Sequence, residues 1–379
     1  MGKPIYLDYN ATTPVDPIVV EAIEPYLREH FGNPSSDHAY GYRTRLAVQT
    51  AREQLAALLG AAPDEVVFTG SGSEANNLAI KGVAYALRDR GNHIITSAVE
   101  HPAVAAPLRF LERQGYQVTT LPVDTTGQVD PAQVAAALTR ETILVTIMHA
   151  NNEVGTIQPI HAIAEIAHAR GVLVHTDAAQ TVGKIPIDLQ ALGAGLVTVV
   201  GHKFYAPKGI GALIVRRGVL LEPLIHGAGH EDGRRAGTEN IPYLVGLGRA
   251  AALAQERLPI YQEQVRVLRD KLHRGILGCI PSAILNGHAT ERLPNTLNLS
   301  FPGVNAGELL AAIRDEVACS TGSACHAGQA TPSSVLLAMG RDAGLSSAAL
   351  RLSLGCGTTE QEVQRAAAVI GDAVRDRIR

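Results

Sequence analysis

Short apolar runs rich in β-branched residues alternate with longer stretches in which apolar positions recur every three or four residues. The runs at residues 65–68, 93–97, 117–123, 143–149, 172–176, 196–200 and 211–215 are too short for helices and read as strands. Helical periodicity fills the intervals, over 40–59, from Glu74 to Leu87, and onward from Pro102, Pro131 and Ile160. Such a rhythm predicts a parallel sheet covered on both faces. After a long helical segment over 242–277 the alternation resumes, with strands at 296–301, around Val317 and at 350–354. Helices from Ala306 and Pro332 and a terminal helix complete a second, smaller α/β unit. A chain of 379 residues exceeds the size at which one core keeps growing, so a division near Tyr261, inside the long helix, is expected.

Composition narrows the class. With 46% apolar residues there is ample material for folded cores. The 33 basic and 36 acidic residues leave no net field to draw in nucleic acid, and few aromatics could stack on bases. No apolar run reaches the roughly 18 residues of a membrane span. The start, Met1 to Tyr6, has no apolar signal core, so a cytoplasmic protein acting on a small molecule is expected. Cys279, Cys319, Cys325 and Cys356 show neither CxxC nor Cys/His finger spacing, which argues against structural zinc and a disulfide framework.

The polar residues collect where strands end. Lys203 follows the run Leu196–Val200 and precedes a Pro/Gly turn, and in open α/β sheets ligands bind outside the carboxyl ends of strands. A lysine there suits a Schiff base with a carbonyl, though a surface lysine would read the same in isolation. Thr69-Gly70-Ser71-Gly72-Ser73, between a strand and a helix, offers backbone N–H groups, hydroxyls and a positive helix end to a phosphate. It is neither a Rossmann nor a Walker glycine pattern, so no nucleotide is implied. His101 and Asn152 follow two further strands, and Asp177 closes a third. Asp177 could cap a helix, bind a metal or hold a pyridinium proton, and His101 could be a surface histidine or a flat ring above a cofactor. Residues 5–17 read as an arm or lid whose Asp16-Pro17 starts a helix, and Phe31 to Ser36, with Asn33, as a second polar loop. The glycine-rich stretch 226–240 carries Thr238 and suits contact with a ligand or another subunit. Cys325 sits among small residues beside His326, which suits an accessible thiol, and Arg351 on the last strand could pair with a carboxylate or a structural acid.

Taken in order, LDYNATTPVDP, FGNPSS, FTGSGSEANNLAI, EHPAV, NNEVGTIQPI, HTDAAQ, GHKFYAPKGIGAL, GHEDGRRAGTEN, TGSACHAG and RLSLG resemble the NifS/IscS-type cysteine desulfurases, nearly end to end. The resemblance implies a fold-type I pyridoxal 5'-phosphate enzyme. Its fold would be α/β, with a mainly parallel seven-stranded sheet in a large domain over 16–261. A smaller α/β domain over 1–15 and 262–379 would carry the cysteine loop. By the same resemblance Lys203 would bind the cofactor covalently, His101 would stack on its ring and Asp177 would pair with the ring nitrogen. Gln180 and Asn152 would touch the phenolic side, while Gly72, Ser73 and His202 would hold the phosphate. Thr238 would reach into the partner's site of a homodimer, and Arg351 with Asn33 would anchor the substrate carboxylate.

The implied reaction turns L-cysteine into L-alanine and leaves a persulfide on Cys325 for an acceptor or scaffold protein, in iron–sulfur cluster or thio-cofactor assembly. The chain departs from the family pattern at Val200, where many relatives have serine, and at Ser73, where threonine is more usual. Cys325-His326, VGHKFY and LDYNATTP are also similar to selenocysteine lyases of the same superfamily, which would take L-selenocysteine. An aminotransferase and a non-catalytic scaffold are further readings, and the joint presence of Lys203, Asp177, Cys325 and Arg351 speaks against the scaffold.

Overall fold

The computed structural model describes residues 3–321 and 332–378. The strands in chain order are β1 Ile5–Tyr6, β2 Val66–Thr69, β3 His93–Ser97, β4 Gln117–Leu121, β5 Thr142–Thr146, β6 Leu173–Asp177, β7 Leu196–Val200, β8 Gly211–Val215, β9 Ile284–Asn286, β10 Thr296–Ser300, β11 Val317–Ala318 and β12 Ala349–Ser353.

Seven of them form one sheet in the order β2-β8-β7-β6-β5-β3-β4. All its pairs are parallel except those that β8 makes with β2 and β7. Alternate residues feed two cores, because successive side chains on a strand point to opposite faces. Phe68, Ile95, Val145, Val197 and Ile214 pack on one face, and Val67, Ile94, Leu144, Leu196 and Leu213 on the other. The first core is closed by the helices Ala39–Leu59 and Ile241–Cys279, the second by Gly72–Ala86 and Pro102–Glu112. Burial on both faces explains why the sequence shows continuous apolar runs rather than alternation.

A third core lies around the antiparallel sheet β12-β10-β9 and the parallel pair β1-β11. The Ile241–Cys279 helix runs unbroken through Pro259 and serves both units. Its residues Ile241 to Leu253 belong to the first core, and Tyr261 to Ile276 to this one. The sequence pattern missed β9 and the short helix Ala343–Ser347, and it started the helix after the glycine-rich turn at Glu74 rather than Gly72.

The expected arm is real, and it stitches the two units together. Ile5 and Tyr6 pair with β11, and Ser353 N donates to Leu7 O at 2.8 Å. The chain then crosses to the large sheet, where Thr13 N donates to His202 O at 2.9 Å and Asp16 caps the helix Pro17–Arg28.

Candidate active site

A cavity of about 480 Å³ opens where the arm passes between the carboxyl ends of the large sheet and β12. Lys203 enters it from the turn Gly201–Lys203 that follows β7. The next turn is held in a costly shape: Tyr205 has φ 70°, a left-handed conformation that a side chain disfavours by roughly 1–2 kcal/mol. It persists because Tyr205 N donates to Thr13 Oγ1 at 2.8 Å and its hydroxyl accepts from Cys356 N at 2.7 Å. The Lys203 amine donates to the carbonyls of Asn10 and Ala11 at 2.7 and 2.8 Å. Burial, then the Arg351 guanidinium, lower its pKa to about 8 against the opposing pull of Asp177 and Asp8.

Asp177, 5% exposed at the end of β6, receives hydrogen bonds from Asn76 Nδ2 at 2.8 Å and Ala179 N at 2.9 Å. Among the described residues no cation lies within ion-pair distance of it, so a buried carboxylate faces the cavity with capacity for one more donor. His101 caps the Pro102–Glu112 helix, its Nδ1 accepting from Ala103 N at 3.1 Å, which leaves the proton of the neutral ring on Nε2. Burial and Lys203 lower its pKa, with Asp177 opposing. Beside it, Glu100 Oε1 accepts from Ser97 Oγ at 2.6 Å and Met148 N at 3.0 Å, while Oε2 is buried without a partner. Burial pushes this carboxyl up to about 8, so it is neutral at pH 7.

The glycine-rich turn lies at another corner of the cavity. Ser71 caps Glu74 N at 3.1 Å, so the N–H groups of the first helical turn at Gly72 and Ser73 point outward without helical partners. A Cβ at Gly72 would run into Val200 Cγ2, so only glycine fits there. His202 borders the same corner with Nδ1 3.1 Å from Thr12 Oγ1, its pKa lowered to about 4 by burial and by Lys203. These groups fit a phosphate at the helix start, and the unpaired Asp177 carboxylate fits a ring N–H.

Opposite stands Arg351 on β12. It is buried, with Nη2 donating to Asp8 Oδ1 at 2.7 Å, Nη1 to Asn152 O at 3.3 Å, and Nε without a partner. Gln180 lines the cavity with Nε2 donating to Asn10 O at 3.0 Å. Thus Lys203, His101, Asp177, Gln180, Asn152, Gly72, Ser73, His202 and Arg351, scattered over 280 positions of the sequence, surround one cavity.

Two expected residues lie elsewhere. Asn33 is exposed, off the cavity, and its Oδ1 accepts from Ser35 N at 2.9 Å in a local turn. Within this single chain Asn33 lies away from Arg351, and the asparagine whose carbonyl meets Arg351 is Asn152. Thr238 is exposed on its loop, and its neighbour Glu239 lines a separate cleft of about 890 Å³ together with Pro34 and His230. Cys325 lies outside the described residues, as does His326. The described chain reaches that segment from Ser320, which lines the cavity and bridges to Arg351, and resumes before Ser333, whose hydroxyl donates to Glu153 Oε2 at 2.6 Å. Reading the sequence missed Asp8, Asn10 and Lys184, whose only signal was an Asn and an Asp in the arm and a lysine four positions after Gln180.

A lysine, an unpaired buried carboxylate and an anion cradle around one cavity at the strand ends define a pyridoxal-phosphate enzyme of the fold-type I class. The aminotransferase class-V family model matches residues 5–366. A cysteine desulfurase IscS from Dictyoglomus turgidum is 47% identical over 96% of this chain and 92% of its own length. Among solved structures, a NifS-like protein superposes with a TM-score of 0.92 at 37% identity, covering 99% of this chain and 100% of that one. SspA in complex with cysteine gives a TM-score of 0.83 at 39% identity over 93% and 99%. The chain belongs to the class-V aminotransferase family and, within it, to the cysteine desulfurases. Its cofactor is pyridoxal 5'-phosphate.

Proposed function

We propose that this protein converts L-cysteine to L-alanine and retains the sulfur as a persulfide on Cys325. The observation that carries the proposal is the convergence of Lys203, with its amine near pH 8, Asp177 and Arg351 on one cavity. Pyridoxal phosphate, when bound, supplies an aldehyde that condenses with amines and an electron-withdrawing ring that makes the substrate α-proton acidic.

The rest falls to the chain. Gly72, Ser73 and His202 would hold the phosphate, Asp177 would keep a proton on the ring nitrogen, His101 would cover the ring, and Gln180 and Asn152 would serve its phenolic oxygen. Arg351 takes the substrate carboxylate, which a guanidinium grips in a fixed orientation. The Lys203 amine, its pKa lowered to about 8 so that it gives up a proton more readily than an ordinary lysine, carries the α-proton. The Cys325 thiolate attacks the substrate sulfur: an S–S bond forms, the substrate C–S bond breaks, and its electron pair stays with the carbon that is then protonated to give alanine. Cysteine plus enzyme thiol thus becomes alanine plus enzyme persulfide, with no external oxidant. The persulfide goes to an acceptor protein for iron–sulfur cluster or thio-cofactor assembly.

The division into residues 16–261 and 1–15 with 262–379 puts the cofactor groups on one unit and the thiol loop on the other. A homodimer, with Thr238 reaching the partner's site, is supported by a surface in which Leu27, Phe31, Tyr40, Tyr42 and Leu46 are all exposed, Phe31 by 72%. The test compares alanine release from cysteine and from selenocysteine in wild type and Cys325→Ala. The variant is expected to stay yellow with pyridoxal phosphate and lose cysteine turnover. Full selenocysteine turnover by the variant, with negligible cysteine turnover in both proteins, would overturn the desulfurase reading in favour of a selenocysteine lyase.

A further inference from the structure

Lys184, only 2% exposed, lies behind the cavity and has no role in the chemistry above. Its amine donates to Gln180 Oε1 at 2.8 Å and to Asn10 Oδ1 at 3.2 Å. Among the described residues no carboxylate lies within ion-pair distance of it, and the cations Lys203 and Arg351 add to the effect of burial in holding its pKa well below the usual lysine value. Two acceptors, and among the described residues no charged partner, meet the amine.

Both acceptors belong to residues that shape the cavity. Gln180 has one amide end on Lys184 and the other, Nε2, on Asn10 O at 3.0 Å, which leaves the second N–H of that nitrogen for the cavity. Because a lysine amine at this position donates, it fixes the oxygen of the Gln180 amide toward itself and the nitrogen away. Asn10 is a hub. Its carbonyl receives the Lys203 amine at 2.7 Å, its Oδ1 also accepts from Asn295 Nδ2 at 3.0 Å, and its Nδ2 donates to Asn152 O at 3.1 Å and Thr296 Oγ1 at 2.9 Å. Asn295 and Thr296 come from the small unit, so Lys184 grips the point where the two halves meet beside Lys203.

We propose that Lys184 is a positioning residue: it fixes which end of the Gln180 amide faces the bound cofactor and holds Asn10, on whose carbonyl Lys203 rests. The proposal rests on the functional reading above, since it concerns how the cavity receives pyridoxal phosphate. Removal of the amine leaves the Gln180 amide held by Asn10 O alone among the described residues, so the nitrogen it presents to the electron-rich phenolic side is less firmly held. Lys184 then acts through Gln180, and the two residues should behave as one unit when mutated.

The experiment titrates cofactor-free wild type, Lys184→Met, Gln180→Leu and the double variant with pyridoxal phosphate, reading affinity and the absorbance maximum of the bound cofactor. Each single variant is expected to lose about tenfold in affinity, the scale of one buried hydrogen bond, and the double variant about the same. The absorbance maximum should move in the same direction in both single variants. Lys184→Gln, which keeps an N–H donor pair on a shorter stem, should fall between wild type and Lys184→Met. A merely structural lysine would lower the melting temperature and leave the maximum where it is, with the two losses multiplying to about a hundredfold. That outcome, or wild-type affinity in Lys184→Met, overturns the proposal. Should the methionine variant fail to fold, the cycle is run with Lys184→Gln, where multiplied losses overturn it equally. Wild-type protein that binds no pyridoxal phosphate sinks the functional reading itself, a separate result.

Discussion

The two walls of the cavity are built differently. On the large-sheet side Lys203, Asp177 and His101 stand at strand ends or the turns that follow, backed by two apolar cores. On the small-sheet side the wall rests on Arg351 in β12, tied to the arm by Asp8 and flanked by Ser320. The first wall holds groups whose protonation is tuned within the physiological range: the Lys203 amine near 8 and the Glu100 carboxyl near 8. The second presents a guanidinium, which stays charged. On the proposed function the contrast is a division of labour, with proton handling and cofactor binding assigned to one side and substrate anchoring to the other.

The contrast is broken most directly from the large-sheet side. Lys203→Ala should cut alanine release at least about 10³-fold, because both cofactor attachment and proton transfer lose their amine. Steady-state turnover on cysteine measures it, and activity within tenfold of wild type would refute the assignment.

From the other wall, Arg351→Leu should lower kcat/KM about a hundredfold, mostly through KM, with the affinity for pyridoxal phosphate nearly unchanged. Equal loss of cofactor binding would show that the walls do not divide the work.

A finer test reads the coupling between the walls. In cofactor-free protein, the rate at which an amine-reactive anhydride labels Lys203, read by peptide mass spectrometry, should rise with pH with a midpoint near 8. Arg351 lowers that midpoint and Asp177 raises it, so Arg351→Leu should move it up and Asp177→Asn down. Unmoved midpoints in both variants would mean that the field across the cavity is negligible.

The smallest expected effect is on stability. The Glu100 carboxyl has its folded pKa raised from 4.5 to about 8, so the unfolded chain ionises first and stability is lost as pH rises between those values. Below pH 4.5 both states are neutral and nothing is lost. Glu100→Gln, which keeps the neutral shape, should raise the melting temperature by a few degrees at pH 8 and hardly at all at pH 5. A gain of the same size at both pH values would argue against a neutral buried acid.

Much of this site was legible before any coordinates. The run Leu196–Val200 is apolar and too short for a helix, so it reads as a strand with Lys203 just past its end, and the structure has that strand buried throughout. Asp16-Pro17 and Ser71 with Glu74 wrote their helix starts in the order of the residues. What stayed hidden was long-range. Asn10 receives Gln180 and Lys203 from 170 and 193 residues away, and no periodicity reports such a meeting. Asn33 illustrates the same limit: a polar loop residue reads alike whether it faces a cavity or, as within this chain, a local turn.

By itself the sequence determined the elements, the strand-end positions of Lys203, Asp177 and His101, and the family, because local periodicity, capping and motif order are properties of neighbouring residues. Only the tertiary structure decided which wall each group stands on, that Asp8 holds Arg351, and that Lys184 is buried beside Gln180. Those facts depend on how two cores pack across an arm, and burial and field, which set the protonation of Lys203 and Glu100, exist only once that packing excludes water.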